Sequence, residues 1–315
     1  MIRQTPVVAL TGATGTIGRL VARGLAAEDG ADGADGADVR LLVRDPAKAA
    51  REGLPGRAVA ADFGEVDGLA RALEGVDRVF VVTSDPLRPE HDENVLAAAR
   101  AAGVRRVVKL SALAVLDPGA QDLLTRWQRD NEERLRASGL EWTLLRPRAF
   151  MSNALGWAAS VRQDGTVRAL YGSGRNACVH PRDVADAAVR ALLDAEGAGR
   201  SYALTGPEPL SAREQTGTLG EVLGRPLTFV ELTEEQAAER WRARWPEPMV
   251  RALLESARRQ RDGAKEAVAD GVREATGQDP RSFADWARAN AEAFGARGAA
   301  RGSSHRGASG VEYRA

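Results

Sequence analysis

The stretch TGATGTIGRLVARGLA, residues 11–26, decides the fold. It follows the apolar run PVVALT (6–11) and places Gly12, Gly15 and Gly18 in the order G-x-x-G-x-x-G. Glycine permits a tight turn at the first position, close approach of backbone amides to a pyrophosphate at the second, and close contact between helix and strand at the third. The helix that begins here directs free N–H groups toward such phosphates. The stretch therefore predicts a dinucleotide-binding turn between a first strand and a first helix.

Strands and helices alternate through the first two hundred residues. Short β-branched runs predict strands, and Ala/Leu/Arg segments of helical period predict helices between them. The predicted strands are 6–11, 39–43, 57–61, 78–82, 105–111, 141–146 and 201–205, and the predicted helices are 16–27, 46–53, 66–74, 90–102, 121–138 and 181–195. Such βαβ units indicate an α/β fold with a Rossmann-like, doubly wound parallel sheet. This context favours a dinucleotide site over the alternative, a glycine-rich turn without a ligand.

The pattern changes after about residue 207, where helices surround one short predicted strand, LTFVEL (227–232). We therefore expect an NAD(P)-binding domain over residues 1–150, completed by the strand near 201–205. Residues 151–294 are expected to form mainly a small, mostly helical substrate-binding lobe.

Two segments are too rich in small and polar residues to belong to a packed core. The Ala-Asp-Gly repeat EDGADGADGAD (28–38) predicts a solvated loop between the first helix and the second strand. Residues 295–315 predict a disordered tail.

Composition argues against several classes of function. Lys and Arg (44) balance Asp and Glu (44), so no net field attracts nucleic acid or an anionic membrane. The single cysteine excludes an internal disulfide, and the three histidines lack the spacing of metal ligands. The chain has neither a signal-like N-terminus nor an apolar run approaching the roughly 20 residues that span a bilayer. We expect a cytoplasmic protein without a metal centre.

The end of the second predicted strand bears on the choice of dinucleotide. An acidic residue there would bind the ribose 2′-hydroxyl, whereas a cation favours a 2′-phosphate. The sequence reads LLVRDPAKA, with Arg44 directly after the strand and Lys48 one helical turn later. This favours NADP(H) over NAD(H). The alternative pairs Arg44 with Asp45, although Asp45 is also expected to cap the next helix. Asp62 is placed either to meet the adenine amine or to form a plain turn.

With these motifs in hand, the chain resembles the NmrA-like branch of the atypical short-chain dehydrogenases. It is most similar to the NADPH-dependent quinone oxidoreductases and triphenylmethane dye reductases of that branch. The similarity runs from Thr5 to about Phe294. The supporting stretches are AAGVRRVVKLS (101–111), SGLEWTLLRPRAFMSN (138–153), VHPRDVADAAVRALL (179–193), LTGPEPLS (204–211), LGRPLTFVELT (223–233) and WPEPMV (245–250).

The resemblance implies a Rossmann-like domain with a small C-terminal lobe, the cofactor across the strand ends, and the substrate above the nicotinamide. The positions that match the family's cofactor site are Gly12, Thr14, Gly15, Thr16, Ile17 and Gly18 in the phosphate loop, Arg44 and Lys48 at the 2′-phosphate, Thr83 and Ser84 after the fourth strand, and Pro147, Arg148, Ala149 and Phe150 beside the nicotinamide. Lys109 lies inside a strand that should be buried, so its side chain either reaches the cofactor ribose or extends to solvent.

The family's usual catalytic pair is missing. Ser111 falls one position before the usual catalytic serine, and Leu124 and Gln128 take the places of the tyrosine and lysine. Losing a general acid costs roughly 10²–10⁴ in rate for alcohol–ketone chemistry. Members of this branch commonly dispense with the pair, because a quinone or a cationic dye accepts hydride without it. Many of them carry His at the position of Gln128, so this chain also departs from that pattern.

One face of the predicted helix 121–138 holds the candidate substrate contacts. Helical spacing places Leu124, Trp127, Gln128 and Asn131 on the same face. If this face borders the cleft, Gln128 and Asn131 hold a carbonyl group while Trp127 stacks on a flat ring. The alternative, equally open, is that the face packs in the core.

The sequence thus predicts an NADPH-dependent oxidoreductase that transfers hydride to a planar, electron-poor small molecule, either a quinone or a polycyclic aromatic metabolite. Two alternatives keep the fold: a redox-silent regulator that binds NADP, and a non-redox tailoring enzyme. We expect a small-molecule substrate, no nucleic-acid or membrane partner, and a monomer or homodimer.

Overall fold

A seven-stranded parallel sheet forms the centre of the molecule, in a computed structural model that describes residues 5–27, 37–194 and 198–295. The elements up to the sixth strand are β1 (Val7–Leu10), α1 (Thr16–Ala27), β2 (Asp38–Val43), α2 (Pro46–Arg51), β3 (Arg57–Ala60), α3 (Val66–Ala72), β4 (Arg78–Val81), α4 (Glu90–Ala101), β5 (Arg106–Leu110), α5 (Leu123–Ala137) and β6 (Glu141–Pro147). The later elements are α6 (Ala158–Asp164), β7 (Thr166–Leu170), β8 (Arg175–Asn176), α7 (Pro181–Leu193), β9 (Arg200–Leu204), β10 (Leu210–Ser211), α8 (Ala212–Leu223), β11 (Thr228–Leu232), α9 (Glu234–Arg242), α10 (Glu247–Arg261), α11 (Gly271–Thr276) and α12 (Phe283–Ala289). Short 3₁₀ helices span Leu113–Leu116, Met151–Trp157 and Ala291–Phe294.

The strand order places the phosphate loop at the point where the sheet changes direction. The order is β3-β2-β1-β4-β5-β6-β9, and neighbouring strands pair in parallel throughout. The chain therefore builds outward from β1 in one direction and then returns to continue from β4 in the other. Ligands of such sheets bind at this switch, beyond the carboxyl ends of the strands. The predicted α/β fold with a Rossmann-like, doubly wound sheet is confirmed.

Helices cover both faces of the sheet, as the continuous apolar strands require. In β1, Val8 and Leu10 point into a core shared with α1 and α7, whereas Ala9 points into a second core shared with α3 and α4. This alternation is the period of two that a strand imposes on its side chains. Helices α1 and α7 lie very close together, since a Cβ atom added to Gly24 would stand 2.8 Å from Cγ2 of Val189.

The C-terminal part has its own small core. The rings of Phe283 and Trp286 stack with centroids 5.4 Å apart, and Phe294 meets Trp286 edge-on. Two small sheets border this core: β7 pairs in parallel with β11, and β8 pairs antiparallel with β10. The sequence predicted only the strand at 227–232 here. The strands β7, β8 and β10 correct that expectation, because each gains its hydrogen bonds from a partner distant in sequence.

Some of the sequence-based expectations fall on residues that the structure does not describe. Most of the predicted loop at 28–38 and nearly all of the predicted tail at 295–315 lie outside the described ranges. Among the helices of the described ranges, none is both long and apolar enough to cross a membrane.

Candidate cofactor and substrate site

The phosphate loop is closed tightly at its first and third glycines. Gly12 has a φ of +60°, and the carbonyl oxygen of Gly12 accepts the N–H of Gly15 at 2.9 Å. A Cβ atom on Gly18 would stand 2.2 Å from that same oxygen. Helix α1 begins at Thr16, so its first N–H groups have no acceptor inside the helix. This arrangement of free backbone N–H groups fits a pyrophosphate.

A threonine ties the phosphate loop to the end of the neighbouring strand. The hydroxyl of Thr11 donates to the carbonyl oxygen of Val82 at 3.0 Å and accepts the N–H of Val82 at 2.7 Å. The next residue, Thr83, is buried, and Ser84 is exposed. Thr83 and Ser84, which the sequence predicts at the cofactor site, therefore lie beside the phosphate loop.

Arg44 is free to meet an anion at the end of β2. Its side chain is exposed and has no ion-pair partner among the described residues. Asp45 is engaged elsewhere, because its carboxylate accepts the N–H of Lys48 at 3.0 Å to cap α2 and pairs with Arg51 at 3.7 Å. The alternative pairing of Arg44 with Asp45 is thus wrong. Lys48 is exposed on the first turn of α2.

Asp62 lies in a turn after β3. Its side chain is exposed, and its Oδ1 accepts the N–H of Gly64 at 2.8 Å. This contact leaves the other carboxylate oxygen available, so the turn is compatible with either of the roles that the sequence left open.

Lys109 is buried in an ion pair below the carboxyl end of the sheet. Its ammonium group lies 2.8 Å from Oδ1 of Asp92, which also accepts the hydroxyl of Thr83 at 2.7 Å. Lys109 is only 1% exposed, so the expectation that its side chain could extend to solvent is not met. Asp92, on the first turn of α4, is a buried partner that the sequence analysis missed.

The candidate substrate face of α5 points inward, and three of its polar atoms lack partners among the described residues. Trp127 is 6% exposed, Gln128 is 9% exposed and Asn131 is completely buried. The ammonium group of Lys109 lies 5.9 Å from the centroid of the Trp127 ring. Within the described ranges, Nε1 of Trp127, Oε1 of Gln128 and Nδ2 of Asn131 have no hydrogen-bond partner. Leu124 is half-buried one turn earlier.

Ser111, directly after β5, is engaged in a buried network with Glu132 of the same helix, α5. Its hydroxyl donates to Oε1 of Glu132 at 2.6 Å, and the Arg146 guanidinium donates to both oxygens of that carboxylate at 2.9 and 2.6 Å. Burial alone would raise the pKa of Glu132, but the hydrogen bonds from Arg146 and Ser111 outweigh it and hold the pKa below its ordinary value. Ser111 therefore joins β5 to α5 rather than providing a free acid.

The segment expected beside the nicotinamide is fixed by backbone hydrogen bonds on two sides. Pro147 ends β6 and is buried, and the N–H of Arg148 donates to the carbonyl oxygen of Leu204 at 2.8 Å. On the other side, the N–H of Val179 donates to the carbonyl oxygen of Ala149 at 2.9 Å. Phe150 is half-buried and forms a β-bridge with Val179.

A group of basic side chains near this segment was not anticipated. Arg148 and Lys265 are both half-buried, and their positive charges interact. Burial, and next the charge of Arg148, lower the pKa of Lys265 to about 8. The sequence gives no motif around Lys265, which reaches the site because the loop after α10 lies against Ala177.

Comparison with known proteins agrees with this architecture. The sequence model of a family described as NAD(P)H-binding matches residues 12–195. The chain is 50% identical over 288 residues to the (4-alkanoyl-5-oxo-2,5-dihydrofuran-3-yl)methyl phosphate reductase of Streptomyces griseus, covering 91% of this chain and 99% of that relative. It is 34% identical over 295 residues to the NAD(P)H azoreductase of Xenophilus azovorans, covering 92% and 100% of the two chains.

A solved structure extends the agreement to three dimensions. The NADPH-dependent quinone oxidoreductase of Escherichia coli, complexed with NADPH, superposes with a TM-score of 0.77 at 26% identity over 89% of this chain and 98% of that one. Fold, phosphate loop and relatives thus converge. The chain belongs to the NAD(P)H-binding family, in the NmrA-like branch of the atypical short-chain dehydrogenases, and is an NAD(P)H-dependent oxidoreductase.

Proposed function

We propose that this oxidoreductase reduces the ring double bond of a 2,5-dihydrofuranone phosphate, using NADPH in preference to NADH. The observation that carries the proposal is the 50% identity to the Streptomyces griseus reductase over 99% of its length. The name of that relative describes a planar, electron-poor acceptor, which is the class of substrate that the sequence favours. Quinones share this chemistry and are second candidates, in line with the quinone oxidoreductase of Escherichia coli.

The proposed cofactor contacts follow the geometry described above. Backbone N–H groups of the phosphate loop, from Gly12 to Gly18, hold the pyrophosphate, with the hydroxyls of Thr14 and Thr16 beside it. Arg44 and Lys48 hold the 2′-phosphate, because a guanidinium matches phosphate geometry and no acid of the described residues pairs with Arg44. Asp62 meets the adenine, and the remaining contacts are assigned to Ile17, Thr83, Ser84, Lys109, Pro147 and Phe150.

The proposed substrate explains how reduction proceeds without the Tyr–Lys pair. When bound, the reduced nicotinamide supplies hydride and is oxidised by two electrons. Hydride forms a C–H bond at the ring carbon that bears the methyl phosphate. The double-bond electron pair moves to the adjacent carbon, between the lactone carbonyl and the alkanoyl carbonyl. The resulting enolate spreads its charge over two oxygens, so a proton from water completes the reduction and no strong acid is needed when the charge forms.

We assign the positioning of the acceptor to α5. Gln128 takes the place of the usual lysine, and an amide can donate a hydrogen bond to a carbonyl oxygen although it cannot deliver a proton. Trp127 provides a flat wall and Asn131 a second amide behind it. The unpartnered donors Nε1 of Trp127 and Nδ2 of Asn131 support this assignment, since buried polar groups ordinarily have partners.

We further propose that residues 1–150 with the strand near 201–205 act as the cofactor domain, and that residues 151–294 mainly form the substrate lobe. The separate aromatic core around Trp286 supports this division.

The experiment combines purified protein and NADPH with three acceptors: a 4-alkanoyl dihydrofuranone methyl phosphate, a benzoquinone and a simple ketone. Loss of the reduced-nicotinamide absorbance gives kcat/KM, and mass spectrometry of the product locates two added hydrogens. We expect the highest kcat/KM for the furanone, a lower value for the quinone and no turnover of the ketone. Turnover of the ketone, or none of the furanone, contradicts the proposal.

A further inference from the structure

Two basic residues, Arg148 and Lys265, flank the short segment 177–179, next to the residues expected beside the nicotinamide. On one side, the N–H of Ala177 donates to the carbonyl oxygen of Lys265 at 3.0 Å; on the other, the N–H of Val179 donates to the carbonyl oxygen of Ala149 at 2.9 Å. The backbone at Arg148 is therefore fixed through its neighbour Ala149, and the backbone at Lys265 is fixed through its own carbonyl group. Both side chains are half-buried, surrounded by protein yet reached by solvent.

Neither cation has an acid of its own. Nε of Arg148 is buried and has no hydrogen-bond partner in the described part of the chain. The ammonium group of Lys265 donates only to the hydroxyl of Ser256, at 2.7 Å, among the residues that the structure describes. Cys178 lies in the same segment and its thiol is close enough to interact with both cations. Burial raises the pKa of this thiol to about 11. The thiol is neutral at physiological pH and cannot balance the two charges.

Two carboxylates, Asp117 and Asp122, interact with these cations, but they do not balance both of them. Asp117 accepts Nε of Arg259 at 2.9 Å, so its charge is neutralised there. Asp122 caps α5 by accepting the N–H of Thr125 at 3.0 Å and its hydroxyl at 2.7 Å, but these neutral donors leave its negative charge in place. Because Asp117 pairs with Arg259, Asp122 is left to oppose two cations, and one positive charge remains in excess around Arg148 and Lys265 among the described residues. Because partly buried charges are costly unless they are paired, this surplus indicates a site for an anion.

We propose that Arg148 and Lys265 bind the phosphate monoester of the substrate, an assignment that rests on the proposed function for the identity of the substrate. A guanidinium can donate two parallel hydrogen bonds to a phosphate, and the ammonium adds a second positive charge to match a group that carries nearly two negative ones. The phosphate of a dihydrofuranone methyl phosphate is linked through one CH₂ group to the carbon that accepts hydride. A phosphate site next to the nicotinamide segment therefore meets the geometry of that molecule.

The phosphates of the dinucleotide are the other possible source of this chemistry. They are assigned above to the phosphate loop and to Arg44, at the ends of β1 and β2. The first experiment therefore uses protein saturated with NADP⁺, into which inorganic phosphate is titrated by calorimetry in a buffer without other oxyanions. The variants are Arg148→Gln and Lys265→Met. The matched control is Arg251→Gln, which removes an equal charge from an arginine whose side chain is 74% exposed on α10.

The wild type and the control should bind inorganic phosphate equally. Each of the two site variants should bind it about 10- to 100-fold more weakly, the range expected for loss of a hydrogen bond to a charged group. Lys265→Arg should retain binding, which separates a loss of charge from a loss of folding. No phosphate binding by the wild type, or equal binding by the site variants, overturns the proposal. A parallel loss of NADP⁺ affinity also overturns it, by assigning the cations to the cofactor.

A second measurement separates this proposal from the proposed function. It compares kcat/KM for the furanone phosphate with kcat/KM for the corresponding hydroxymethyl furanone. The wild type should prefer the phosphate, and Arg148→Gln should lose that preference, which is measured as the ratio of the two kcat/KM values within each protein. If the phosphate is reduced but the preference is unchanged in Arg148→Gln, the phosphate site is refuted and the function stands. If neither furanone is reduced while phosphate binding still depends on Arg148, the function is refuted and the site stands.

Discussion

The ammonium group of Lys109 and the carboxylate of Asp92 form a buried ion pair, 2.8 Å apart, that joins β5 to α4 below the site. Both side chains are 2% exposed, and Thr83 adds a hydrogen bond to the same carboxylate oxygen. Lys109→Met leaves the carboxylate buried without its cation, which should lower the free energy of unfolding by about 3–5 kcal/mol. Chemical denaturation measures this loss. Lys109→Met combined with Asp92→Asn should cost less than the sum of the single changes; additive costs would mean that the two groups do not interact.

Replacing Gly18 should damage both the fold and the cofactor site. In Gly18→Ala the new Cβ would stand 2.2 Å from the carbonyl oxygen of Gly12, so the phosphate loop must shift. We expect a loss of about 1–3 kcal/mol in stability and clearly weaker NADPH binding, measured by thermal denaturation and fluorescence titration. Gly217→Ala on α8 is the control, since a Cβ there meets nothing within 4 Å. It should leave NADPH binding unchanged and stabilise the helix by up to about 1 kcal/mol.

Arg44 should control the choice between the two dinucleotides. Arg44→Ala removes the cation proposed for the 2′-phosphate, so the affinity for NADPH should fall by about 10- to 100-fold while that for NADH changes little. The control, Arg51→Ala, removes an exposed arginine from the end of α2, the helix that follows Arg44. Equal effects of Arg44→Ala on the two dinucleotides would mean that this arginine does not contact the 2′-phosphate.

Gln128 should contribute to activity at the expense of stability. Its Oε1 is buried without a partner, so Gln128→Met, which keeps the length of the side chain, should raise the free energy of unfolding by about 1 kcal/mol. The same change should lower kcat/KM about tenfold, because a carbonyl of the acceptor loses its hydrogen bond. A more stable variant with unchanged kcat/KM would identify Gln128 as a core residue only.

Binding of phosphate should weaken above pH 8. Burial and the charges of Arg148 and Arg259 lower the pKa of Lys265 to about 8, although Cys178 and Asp122 oppose this. Because Lys265 loses its proton as the pH rises through this value, the affinity for inorganic phosphate should fall with rising pH, by up to about tenfold per pH unit. Calorimetry from pH 7 to pH 10 follows the change. In Lys265→Arg the decline should vanish; a decline that persists in this variant would assign the titration to another group.

The sequence predicted the central sheet well, because local patterns determine it. Runs such as VRLLV and RVFVV are apolar at successive positions, and the observed strands begin and end within two residues of the predicted ones. The phosphate loop was predicted for the same reason, since its three glycines lie within seven residues. The small sheets of the C-terminal part were missed. TVRAL at β7 is short and stands alone until β11, about sixty residues later, provides its hydrogen bonds.

The interior of the site was harder to predict, because it depends on contacts between distant residues. The sequence singled out Lys109 but not its partner Asp92, which looks like an ordinary acidic residue in the first turn of a helix. Arg148 lies within a stretch that resembles the family, but nothing in the sequence connects it with Lys265, which lies 117 positions later. Helical spacing placed Trp127, Gln128 and Asn131 together, yet spacing alone cannot reveal that their polar atoms are buried without partners.

The position of β9 at the edge of the central sheet has a consequence for biosynthesis. This strand is the last of the seven to leave the ribosome, more than fifty residues after its neighbour β6. Until it arrives, β6 presents an open row of backbone groups to which strands of other nascent chains can add. In the interval between the synthesis of β6 and β9, the enzyme is therefore exposed to strand addition at this edge, which chaperones can prevent.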